Sequence, residues 1–137
     1  MAWGKSIKRN KWDKVFSDYI RTRDKWTCQR CGKYFPDTRG RGGLHCSHYF
    51  SRRSYSTRFD ELNCEALCYG CHSYLGGHPE KHREHKIFKL GDEKFNNLKN
   101  KNREIRKRKE YENPEFYKFL KMKLKKVEGN NGEGEND

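Results

Sequence analysis

A chain of 137 residues, 31% hydrophobic and 37% charged, can form one small domain with extensions, but its few apolar side chains make only a modest core, so a staple is expected. Lys and Arg total 32 against 19 Asp and Glu, a net charge of +13 with a pI near 9.6, which favours a polyanionic partner, DNA or RNA alike. No apolar run approaches the ~20 residues that span a bilayer and the N-terminus carries no apolar signal segment, so the chain reads as soluble and intracellular, with no membrane partner.

The first predicted element is a helix over residues 10–24. Trp12, Val15, Phe16, Tyr19 and Ile20 share one face, and Asn10 with Asp13 three residues on is a start signal. Arg21 and Arg23 near its end suit either the helix dipole or a phosphate. Residues 36–43 are turn chemistry. A short extended piece is expected from Leu44 to Phe50, then an irregular stretch over 51–66. Gly76 and Gly77 break the chain, and Pro79 opens a helix over 79–90. Residues 93–110 read as helical on the weak apolar points Phe95, Leu98 and Ile105. Asn113 and Pro114 start a last helix that places Phe116, Leu120, Leu124 and Val127 on one side. Segment 94–127 holds 13 Lys and Arg against 4 Glu. The last ten residues hold four acids, three glycines and no base, and read as a disordered tail.

Of six cysteines, Cys28 with Cys31 and Cys68 with Cys71 form Cys-x-x-Cys pairs. In a reducing cytosol such pairs argue for metal over disulfides, and four thiolates make a closed, structural zinc site. A secreted disulfide scaffold, the rival, explains neither the pairing nor the missing signal segment. The 36 residues between the pairs exceed an ordinary zinc finger, so something is inserted there. Cys46 and Cys64, inside that insert, read as small buried residues rather than ligands.

His48, Asn63 and His72 follow in order, the last directly after Cys71, and together match the His-Asn-His pattern of HNH nucleases. The chemistry is coherent. A strand-end imidazole, His48, can take a proton from water as general base. His72, at the start of a helix launched by the second cysteine pair, is the best ligand for a divalent cation. Asn63 would constrain the loop and orient the His48 ring. His78, His82 and His85 lie at helical spacing; a polar helix face is the plain reading, and one of them could reach metal or phosphate. Arg39, Arg41, Arg52, Arg53 and Arg58 suit phosphate contact. Tyr49, Tyr55 and Phe59 among them could stack on unpaired bases, although Phe59 fits a core better.

The stretches DKVFSDYIRTRD (13–24), CQRCG (28–32), HCSHYFSR (45–52), STRFDELN (56–63) and LCYGCHSYLGG (67–77) resemble the phage NinG/Rap recombination proteins, within the HNH (ββα-metal, His-Me finger) endonuclease superfamily. The spacing is also similar to that of phage endonuclease VII, a resolvase of branched DNA. The resemblance implies an α+β fold, with a small zinc-stabilised ββα-metal core over 28–92, an N-terminal helical segment over 1–27, a basic helical extension over 93–127 and a tail over 128–137. It implies a phage-encoded enzyme in the bacterial cytoplasm that hydrolyses phosphodiester bonds of branched recombination DNA, leaving a 5′-phosphate and a 3′-hydroxyl. It places structural zinc on Cys28, Cys31, Cys68 and Cys71, the general base on His48 and the supporting role on Asn63. The active-site ion (Mg2+, Mn2+ or Ni2+) falls to His72, with His45 as a further ligand. Two departures stand out. Ser47 replaces the acid or His common before the base, and His45 replaces the acid three residues before it, a change that suits Mn2+ or Ni2+ better than Mg2+. Gly76 replaces the third ligand of some HNH enzymes. A non-catalytic zinc-containing nucleic-acid-binding module and a sequence-specific homing or packaging nuclease are the other functional readings. A homodimer would suit a junction cutter.

Overall fold

The computed structural model describes residues 7–36 and 43–136, with side chains described through residue 129. Arg39 and Arg41, expected near phosphate, lie outside the described residues. Helices surround one two-stranded antiparallel sheet, an α+β architecture. None of the described helices is long and apolar enough to cross a membrane.

Helix α1, Lys11–Arg23, starts where Asn10 and Asp13 predict. The Asn10 side chain accepts from the Asp13 amide and the Asp13 carboxylate from the Asn10 amide, each at 3.0 Å, so two otherwise unpaired donors are satisfied reciprocally. After α1 the chain turns through Lys25 and Trp26, both left-handed at φ 55 and 53. That costs of order 1 kcal/mol per non-glycine residue. Amide bonds from Lys25 to the Thr22 carbonyl and from Trp26 to the Arg21 carbonyl, both 2.9 Å, offset the cost, as does burial of Trp26.

Strands β1 (Leu44–His48) and β2 (Cys64–Cys68) pair antiparallel, with His45 opposite Leu67, Ser47 opposite Glu65 and His48 opposite Cys64. β2 corrects the expectation of irregular chain over 51–66. Five residues covered on both faces show no polar–apolar alternation to betray them. The same stretch also holds the short helix α2, Tyr55–Arg58.

Helix α3 (Tyr69–Gly77) follows β2 directly, capped by the Cys68 sulfur accepting from the Cys71 amide at 3.4 Å. Helix α4 (Pro79–Leu90) opens on its proline as expected. Helix α5 (Asp92–Asn102) stops short of the predicted 110; only a 3-10 turn, Arg108–Glu110, follows. The reason is in the residues. From Arg106 to Lys109 four consecutive cations crowd the chain, and Ile105, counted as an apolar point, is 97% exposed and buries nothing. Helix α6 (Pro114–Asn136) is capped by Asn113, whose Oδ1 accepts from the Phe116 amide at 2.8 Å, and it continues into the segment expected to be a disordered tail.

Alternation along the strands splits the sheet into two faces. Cys46, His48 and Cys64 face α1 and join Phe16, Tyr19, Ile20, Phe59 and Leu120 of α6 in one apolar cluster. α1 and α6 thus share a core with the sheet. His45, Ser47, Glu65 and Leu67 point the other way, toward α3 and α4.

Candidate functional site

Cys28, Cys31, Cys68 and Cys71 converge, their sulfurs all within 4.8 Å of one another. Cys31 and Cys68 sulfurs are 3.8 Å apart. A tetrahedron with Zn–S bonds of about 2.3 Å has edges of about 3.8 Å, so the quartet could hold a metal ion such as zinc. The Cys31 and Cys71 amides point at the Cys28 and Cys68 sulfurs at 3.5 and 3.4 Å, donors that suit thiolates. Burial raises the Cys28 thiol, but backbone amides overcome it and bring it down to about 6. Burial and then the neighbouring Cys68 and Cys28 sulfurs push Cys71 up to about 12, against the pull of Arg30. One thiolate forms readily and the next resists charging beside it; a cation removes that conflict.

The quartet joins the loop after α1 to the β2–α3 junction and fixes where α3 leaves the sheet. His72, on the first turn of α3, therefore lies over the sheet face that carries His45 and Ser47. The His45 and His72 rings stack with centroids 5.2 Å apart at 14°, and His72 Nδ1 lies 3.3 Å from the Ser47 hydroxyl. Tyr69, 69% exposed, flanks His45 with centroids at 6.1 Å. Burial lowers the pKa of His72, with the charge of His45 adding to it; burial, then Arg21 and Arg9, lowers that of His45. Both rings stay in the neutral form a metal requires.

α4 adds two more imidazoles to this face. His85 Nε2 lies 3.0 Å from Glu65 Oε1, and His82 packs edge-on against Tyr49 with centroids at 4.8 Å. Glu65 is buried, and its second oxygen, Oε2, has no hydrogen-bond partner. His82 feels the charges of Glu65, Lys86, His85 and His72. The Glu65 carboxylate thus keeps one oxygen idle on the sheet face that also carries His45 and His72, although among the described residues these groups do not converge as three or more donors within 4.8 Å. The residues that sequence reasoning under-weighted here are Glu65, His82 and His85. Their signal was a carboxylate inside the short strand Cys-Glu-Ala-Leu-Cys, which cannot be buried without a partner, and two histidines one helical turn apart.

His48 is not part of this face. Residues 47 and 48 of one strand point to opposite sides of the sheet. The His48 ring lies against Phe16 with centroids at 6.2 Å, and its Nε2 meets the Arg58 carbonyl at 2.9 Å. Burial brings its pKa down to about 4. His48, expected as general base, and His72, expected as metal ligand, therefore lie on opposite faces of the sheet. Asn63 is fully buried and holds the loop, donating to the Phe50 and Thr57 carbonyls at 3.0 Å and accepting from the Phe50 amide at 2.8 Å, but it does not orient the His48 ring as expected.

Several expected DNA contacts are also corrected. Arg58, 3% exposed, grips Asp13 with two bonds of 3.0 and 2.6 Å. Arg21 pairs with Asp18 at 2.6 Å. Arg23 donates to the Glu61 and Cys64 carbonyls at 2.7 and 2.8 Å, besides pairing with Asp24. Arg52 is half-buried against the Ile7 carbonyl, and Arg53 is exposed. Phe59 is core and Tyr55 bonds Glu112, whereas Tyr69, beside His45, is exposed. His78 caps the end of α3, its Nδ1 2.7 Å from the Tyr74 carbonyl.

A family model described as Bacteriophage Lambda NinG protein matches residues 5–130 of the chain. No curated protein and no solved structure matches.

Proposed function

The chain belongs to the NinG family, and from that premise and the α3-side face of the sheet we propose that it is a metal-dependent DNA endonuclease of the HNH type, selective for branched recombination DNA. The observation that carries this reading is the paired His45 and His72, joined to Ser47, over a two-stranded sheet and a helix that the four cysteines clamp together.

A divalent cation bound at this face supplies charge neutralisation for the phosphodiester as negative charge develops on its oxygens. His72 and His45 would hold it, with Glu65 on the same face of the sheet. Imidazoles in place of the acid of the family motif make Mn2+ or Ni2+ the expected ion over Mg2+. With His48 half-buried on the other side against Phe16, the proton acceptor on this reading comes from the α3 face. His85, whose ring is held by Glu65 at 3.0 Å, and His82 beside it are the side chains available. Tyr69 offers an exposed ring on which a base uncovered at a branch point can stack. The exposed Lys118, Lys121, Lys125 and Lys126 of α6 supply backbone attraction without a base-reading code, so shape rather than sequence sets the substrate. On this reading the enzyme is phage-encoded and acts in the host cytoplasm.

The placement of His48 against Phe16, on the face opposite His72, favours a second reading, a zinc-stapled nucleic-acid-binding module without turnover. Incubation of the full chain with a four-way junction and with plain duplex, in Mg2+, Mn2+ or Ni2+, separates the two. The nuclease nicks the junction faster than the duplex and only with an ion. A protein that binds both and cuts neither is the module. Equal cutting of duplex at one sequence points to the homing or packaging type.

A further inference from the structure

The α1 face of the sheet carries a second cluster of soft donors. The sulfurs of Cys46 and Cys64 and a ring nitrogen of His48 lie within 4.8 Å of one another. Among the described residues, only these three and the cysteine quartet bring three or more such donors that close. We propose that Cys46, Cys64 and His48 form a second thiolate–imidazole site for a soft divalent cation of the zinc class.

The site is built by the strand register. His48 lies directly opposite Cys64, and Cys46 is two residues back on the same face of β1. The His48 ring is already held as a ligand ring is held. The Arg58 carbonyl oxygen 2.9 Å from Nε2 can only accept, so Nε2 carries the proton and the lone pair sits on Nδ1. Both cysteines are free thiols, and Cys64 is buried. Two thiolates, a neutral imidazole and a divalent ion sum to zero charge, the balance a buried site needs. Phe16, Tyr19 and Ile20 of α1 pack in the same apolar cluster as the two cysteines, with Cys64 buried and Cys46 and His48 half-buried. The donors number three, leaving one tetrahedral position for water. Cys46 and Cys64, read from sequence as plain buried residues, become ligands that pin the end of β1 to the start of β2.

This assignment is independent of cleavage. The test is cadmium-113 NMR of the full chain after metal exchange under reducing conditions, with 15N-labelled histidine. Two sulfur-ligated signals are expected: one from four thiolates, and one at lower frequency from two thiolates and an imidazole, coupled to the nitrogen of His48. Metal content should fall by one equivalent in Cys46→Ser, with the four-thiolate signal kept. A spectrum with only the four-thiolate signal, with or without a nitrogen–oxygen signal from His45 and His72, overturns the proposal. So does a Cys46→Ser variant that keeps every equivalent.

Discussion

Arg58 is the position where a DNA-contact reading and a structural reading diverge most, and Arg58→Ala distinguishes them. Its guanidinium binds both Asp13 oxygens, at 3.0 and 2.6 Å, with the two residues only 3% and 4% exposed. It also lies over the Tyr55 and Phe59 rings at 5.0 and 5.6 Å. Removing one partner of a buried pair strands the other charge, at a cost of about 3–5 kcal/mol. Arg52, 3.7 Å from Asp13, is a weak substitute, so the lower half of that range is expected. Against a typical domain stability of about 5–15 kcal/mol this is a large loss. Burial raises the Asp13 pKa, but the Arg58 bond, the Asn10 amide and the charges of Arg58 and Arg52 outweigh it and hold it below its ordinary 3.8. A lowered carboxylate contributes stability above its unfolded value and loses it as pH falls through the folded one. Without Arg58 the burial cost remains unopposed, and protonating Asp13 then relieves it. The gap between wild type and variant should be widest at neutral pH and narrow below the carboxylate range. Urea unfolding followed by tryptophan fluorescence, at fixed zinc, measures it. A neutral-pH loss under about 1 kcal/mol, the size of an exposed pair, would refute the structural role and return Arg58 to phosphate contact.

Removing zinc with a chelator, or Cys28→Ser, should collapse near-UV signal and thermal stability together, since the quartet sets the exit of α3; calorimetry with and without chelator reads this. Leu120→Ala, at a position 2% exposed between α6 and α1, should cost about 2–5 kcal/mol in urea unfolding. His45→Asp should raise the Mg2+-supported cleavage rate relative to the Mn2+-supported rate, because a carboxylate suits the harder ion; parallel rate measurements in the two ions decide it. Junction affinity should fall steeply with salt, and Lys→Gln at Lys118 and Lys125 should flatten the slope of log K against log salt by up to about 0.9 for each phosphate no longer neutralised; filter binding across a salt series measures the slope.

The sequence was most legible where one residue type settles a local question. Asn10 with Asp13, Pro79, and Asn113 with Pro114 marked three helix starts, because caps and first-turn prolines act within four residues. The cysteine quartet was equally plain from its spacing. Strand β2 was not, since both its faces are covered and its five residues carry no period. The site was half legible. His72 was placed by the cysteines beside it, and His45 followed by register. His48 misled because a strand alternates: a shift of one position sends a ring from the α3 face to the α1 core, and spacing along the chain does not reveal which. Glu65 joined the site through the fold, and His82 and His85 through the packing of α4, which linear distance does not carry.

The central claim is that the stacked His45 and His72 face performs metal-dependent DNA cleavage, and the most direct measurement is the rate at which His72→Ala nicks a four-way junction in Mn2+, with the protein's zinc content and junction binding checked alongside. A rate lower by at least about 100-fold is expected, with binding and zinc retained. An unchanged rate in His72→Ala, or a wild type that binds the junction and leaves it intact in every ion, would contradict it.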